Sequence, residues 1–291
     1  MATRAIQREP GLEPDPGDGH GFVDRVLLFV DRLPGPAAAW WLAIGFGLAA
    51  IGHVFVWLST NRPLGVIHDD VAVPAFIFAW FGWLTHTLNG VGRTTFDEFR
   101  PALGDVEPAA RFRDELTSIP DRYAIVAAIA AVAIVSVAYY VGVRPLREAA
   151  PPEIELVSAP LWGAAAAALG IVVLHTVRQL RIVSRLSAIA RNVDIFNSGP
   201  INAFSRLTAV SAIGLILFVV MFVLYTPTQP IAYIVQEAVL LLVAVTSFVW
   251  PLRVMHARLV AEKQRLLLAS QERLKTVLDR LHDLVDSNDL A

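Results

Sequence analysis

The chain has 291 residues, 24 of them basic and 26 acidic, with a formal net charge of −2 and no cysteine. The missing thiols exclude disulfides, thiolate metal sites and a cysteine nucleophile. A hydrophobic fraction of 55% and a mean hydropathy of +0.55 place it among membrane proteins, with no charge excess to draw nucleic acid. Only Lys263 and Lys275 among the basic residues are lysines, and alanine is abundant, a bias expected of a GC-rich bacterial or archaeal genome.

Residues 1–20 are polar, acidic and rich in proline and glycine, without an apolar core. They read as a disordered arm and not as a signal peptide. Residues 21–33 follow, with Phe22, Val26, Phe29 and Leu33 at helical spacing. That spacing predicts an interfacial amphipathic helix lying along the membrane surface as an elbow before the first span. Pro34-Gly35-Pro36 breaks it.

Six unbroken apolar runs come next, at about 37–58, 71–88, 123–141, 157–177, 207–225 and 231–249, none containing Lys or Arg. Each is close to the ~20 residues a helix needs to cross the hydrocarbon layer. The expected fold is all-α: a polytopic bundle of six transmembrane helices over 37–250. Gly45, Ala49 and Gly52 share a stripe in the first span, and Gly163, Ala167 and Gly170 repeat it in the fourth, which predicts close helix packing. Trp40, Trp41, Trp57, Trp162, Trp250, Tyr139, Tyr140 and Tyr225 lie near span ends as an interfacial belt.

Basic residues alternate between the intervening segments, with 21 in the N-terminal arm, second loop, fourth loop and tail against Arg62, Arg144 and Arg147 elsewhere. The positive-inside rule then predicts a plasma (inner) membrane protein with both termini cytoplasmic. In the second loop, Thr94–Arg100 and Glu107–Leu116 are expected to form short helices, with Asp105 and Pro108 at the start of the second. After the fourth span, Arg178, Arg181 and Arg185 recur on a helix expected to reach about Arg191, before a turn at Asn197–Pro200. Such a stripe predicts contact with anionic lipid headgroups, and the loops together predict a small cytoplasmic platform.

Ionisable residues inside the spans are few. Glu237 lies about six residues into the last span and His53 about five from the end of the first, at similar depth by the ~1.5 Å helical rise. His68, Asp69 and Asp70 stand just before the second span. These five form a candidate intramembrane polar site open to the exterior, of the kind that carries protons or cations. A buried pair that only fixes helix packing is the favoured alternative. His86-Thr87 and His175-Thr176 end the second and fourth spans as a weak internal echo, best read as histidines snorkelling at helix ends.

Pro251 marks the expected membrane edge, and residues 251–287 read as a coiled-coil-like cytoplasmic helix. With Val260 at a, the seam comprises Val260, Leu267, Leu274 and Leu281 at a and Val277 and Leu284 at d, interrupted by Lys263 and Ser270 and widened by Leu278 and Val285. A parallel homo-oligomer is expected, the alternative being a helix folded back on its own loops. No P-loop, kinase region, HExxH signature or nucleophile–base pair is present, and no cofactor or metal is implied. The sequence therefore predicts a non-enzymatic sensor, scaffold or assembly subunit that self-associates or docks a cytoplasmic protein. The rival is a small transporter or channel using Glu237 and His53.

Overall fold

The computed structural model describes residues 21–59, 64–103, 109–143, 151–189, 199–225 and 230–286. Among them every element is helical: α1 (Phe22–Asp31), α2 (Ala37–Ser59), α3 (Asp69–Leu103), α4 (Ala109–Thr117), α5 (Asp121–Ala138), α6 (Pro152–Ile189), α7 (Gly199–Tyr225) and α8 (Ile231–Asp286). A π-helical turn, Tyr139–Val143, extends α5. Six of these helices are long and apolar enough to cross a membrane, so the chain is a multi-pass membrane protein. The N-terminal arm, Asp105, Pro108, Arg191 and the start of the expected turn at 197–200 lie outside the described residues.

Four of the six spanning helices, α3, α6, α7 and α8, outrun their apolar cores. Residues Thr94–Arg100, expected as a separate short helix, simply continue α3. Pro251, at the expected membrane edge, lies inside the 56-residue α8. A proline removes one backbone donor and crowds the preceding turn. Spanning helices tolerate this, and strong helix formers follow Pro251.

The chain forms two compact units: the described parts of Met1–Asn89 with Thr117–His175, and of Gly90–Leu116 with Thr176–Ala291. In the first, small residues let backbones approach. A Cβ on Gly45 would meet Ala79 Cβ at 3.0 Å, and one on Gly52 would meet Val71 Cγ1 at 2.5 Å. Gly82, on α3, gives way to the buried Trp41 ring, a contact the sequence did not advertise. The glycine stripe of α6 is only half used. Gly170 abuts Ala127 and Ala131 of α5, whereas Gly163 meets open space.

Helix α1 is docked into this unit. Val23, Leu27 and Val30 are buried against Trp41, Ile119 and Ala124. Phe22, Val26 and Phe29, three of the four residues expected to form its apolar face, are exposed. The helix is thus apolar on two faces, one packed and one open. Its ends are held by polar contacts across long sequence separations. The Phe22 N–H, an orphan donor of the first turn, bonds the Asp121 carboxylate. Both oxygens of the buried Asp24 carboxylate accept the Ile119 N–H in return, at 3.3 and 3.2 Å. At the other end His86 Nε2 lies 3.1 Å from Asp31.

Asp121 at the start of α5 thus caps α1, and Asp24 of α1 holds the chain just before α5. Removing the Asp24 acceptor leaves a buried N–H unsatisfied, at a cost of roughly 1–3 kcal/mol. Asp24→Ala is expected to speed hydrogen exchange across residues 22–31 while leaving α7 unchanged. Unaltered exchange in α1 would show that the carboxylate contributes nothing to docking.

The second unit gathers the extension of α3, α4, the end of α6, α7 and α8. Phe99 packs on Phe204 at 4.4 Å, and Arg206 reaches Glu98 at 3.0 Å and Thr94 Oγ1 at 3.1 Å. Arg113 pairs with Asp97 at 3.4 Å, and Gln179 Nε2 donates to the Leu116 carbonyl at 3.2 Å. The exposed ion pairs contribute ~0–1 kcal/mol each, so aromatic and aliphatic packing carries this assembly of the expected platform elements.

Candidate functional site

His53 sits one turn after Ala49 on α2 and is 6% exposed. Its Nδ1 is 2.6 Å from the Ala49 carbonyl, and its Nε2 accepts the His68 N–H at 2.9 Å. A carbonyl only accepts, so Nδ1 carries the proton. The lone pair on Nε2 is taken by the amide. Hydrogen-bond logic thus assigns the neutral Nδ1–H tautomer. The ring also stacks on His68, with centroids 6.2 Å apart, and lies 5.7 Å from Trp57. Trp57 Nε1 donates to the Val66 carbonyl at 2.9 Å. Gly65, at φ +93°, supplies the left-handed turn that brings residues 66–68 back to α2.

His53, His68 and Trp57 therefore form a clasp between the end of α2 and the start of α3. Asp69 and Asp70 occupy the first turn of α3, where the helix dipole favours negative charge. The His68 carbonyl accepts the N–H groups of Val71 and Ala72, opening that helix. Among the described residues no group of three or more His, Asp or Glu side chains is placed to hold a metal ion.

Glu237 belongs to the second unit and is 8% exposed. It shares a stripe of α8 with the buried Leu240, Ala244 and Ser247. Tyr233, one turn earlier on the same stripe, meets Phe222 of α7 edge to face at 5.4 Å. The stripe is thus the side that α8 presents to α7. His53, matched with Glu237 by depth in the sequence, belongs to the first unit.

The remaining candidates are distributed as follows. Arg181 and Arg185 are exposed on α6, and Arg178 is half-buried, while Val183 and Leu186 on the neighbouring face are buried. His175 is 1% exposed and does not snorkel, unlike the sequence expectation. Along the tail, Val260, Leu267, Leu274, Val277 and Leu281 are 42–62% exposed. Every described side chain from Lys263 to Asp283 is exposed. The side chain of Leu284 lies outside the described residues.

Sequence spacing alone did not reveal Asp24, Asp121 or Trp57 as structural contacts, because their partners are backbone groups brought in by folding. No family model, curated protein or solved structure matches this chain.

Proposed function

We propose that this protein is a non-enzymatic, multi-pass plasma-membrane protein that self-associates through its long terminal helix, acting as a sensor, scaffold or assembly subunit. The observation that carries the reading is α8 itself, which runs unbroken from the last span to Asp286 with uncovered leucines along its tail. An apolar seam on a helix in water is stabilised by burial against another helix. The 21-to-3 distribution of basic residues supports cytoplasmic termini, and hence a tail on the cytoplasmic side. Exposed Arg181 and Arg185 suit anionic headgroups, at ~1 kcal/mol per residue.

The rival reading, a proton- or cation-linked transporter, draws less support. Both ring nitrogens of His53 are engaged by backbone groups.

Truncation after Arg253 tests the proposal. The detergent-solubilised full-length protein is expected to have the mass of an oligomer, and truncation to shift the population towards single chains, by light scattering corrected for bound detergent. A monomeric full-length protein, or an oligomer that truncation leaves undiminished, would overturn the reading.

A further inference from the structure

The tail seam belongs to a helix that does not stop at the membrane, and its register can be followed backwards. Counting heptads from Val260 at a places Val239, Thr246 and Arg253 at a, and Val235, Leu242 and Val249 at d. The residues that α8 turns towards α7, namely Tyr233, Glu237, Leu240, Ala244 and Ser247, fall at b and f. Positions b and f lie across the helix from a and d. Within the span, then, the chain packs α8 on α7 by one side and leaves the opposite side uncovered. Val235, Val239, Leu242 and Val249 are 57%, 54%, 65% and 41% exposed, and Thr246 is exposed as well.

We infer that α8 of one copy packs on α8 of another along a single seam that begins inside the membrane at Val235 and continues to the end of the tail. The inference rests on the self-association proposed above and extends it into the bilayer. Three arguments choose a second copy as the occupant. Copies inserted with the same orientation send their tails out on the same side, so the tails are parallel by construction. A continuous helix carries the heptad phase of the tail into the span without a joint. Finally, position g of the tail carries Arg273 and Arg280. Antiparallel helices would set these g positions against each other, whereas parallel helices set them against e, where Gln271 and Leu278 stand.

The seam is uneven along its length. β-branched Val239, Thr246 and Val260 occupy a, and the Thr246 hydroxyl is a group that can bond across a helix pair in lipid. Arg253 at a and Lys263 at d set like charges together near the membrane edge, so the helices part there and close again from Leu267 onward.

Because the native chain has no cysteine, single-cysteine variants report this geometry directly. Thr246→Cys and Val239→Cys sample the membrane seam and Ser270→Cys the tail seam. Leu241→Cys, exposed but at position c, is the control. Under mild oxidation in native membranes, the first three are expected to shift most of the chain to a crosslinked dimer, with Leu241→Cys at background. Crosslinking at Ser270→Cys without crosslinking at Thr246→Cys or Val239→Cys would overturn the membrane seam while leaving tail self-association standing. Equal crosslinking at Leu241→Cys would overturn it too, as would no crosslinking anywhere. The last result, with a monomeric mass, would also remove the reading on which the inference rests.

Discussion

Gly170→Val is expected to abolish most of the folded yield of this protein, the largest effect of any single substitution argued from its packing. A Cβ at Gly170 would lie 2.5 Å from the Ala127 carbonyl oxygen and 2.6 Å from Ala131 Cβ. Neither atom belongs to a side chain that can swing away, so relief requires α5 to move off α6. Spanning helices hold together chiefly by such close backbone contact, since lipid supplies no hydrophobic drive between them. Overpacking in well-filled interiors costs ~1–3 kcal/mol, and more where backbone must shift. Gly163→Ala on the same helix is the matched control. Its Cβ would meet nothing within 4 Å, and alanine gains up to ~1 kcal/mol in helix propensity. The expected pattern is therefore opposite in sign: a collapse in monodisperse yield and melting temperature for Gly170→Val, and no loss for Gly163→Ala. Similar losses for both would show that glycine itself, and not the α5 contact, matters in α6.

These two glycines mark how far the sequence could be read. All six spans were legible because unbroken apolarity is a local property and needs no partner to interpret. The small-residue stripe was legible too. Which of its members meets another backbone was not, because that depends on where α5 lies. The same limit applies to polar residues. Asp24 binds an amide 95 residues away, and nothing near it in sequence marks that partner. Pro251, read as the membrane edge, lies within one continuous helix, since a long helix carries through a residue that local propensity disfavours. The depth match of His53 with Glu237 rested on helical rise alone. Rise fixes height but says nothing of which way a side chain points, and His53 in fact turns to Ala49 and His68.

That orientation leads to a second large effect. His53→Leu places an apolar side chain of comparable bulk there and leaves the His68 N–H without this acceptor. The bond is part-buried, so losing its acceptor costs about 1 kcal/mol, the low end of the range for a buried donor. The stacked contact with His68 is lost as well. The clasp between α2 and α3 should then open, with faster proteolysis or hydrogen exchange at residues 64–68 and a lower melting temperature in detergent. His53→Gln can present an oxygen to the same amide and should recover part of the loss. A titrating transport site makes the contrary forecast: His53→Leu would leave the fold and its melting temperature intact and remove a pH-dependent flux in liposomes, and the glutamine variant would rescue nothing. The two outcomes differ in both readouts, so one pair of variants decides whether His53 is a fastener or a carrier. The geometry of its two ring nitrogens, both committed to backbone groups, argues for the fastener.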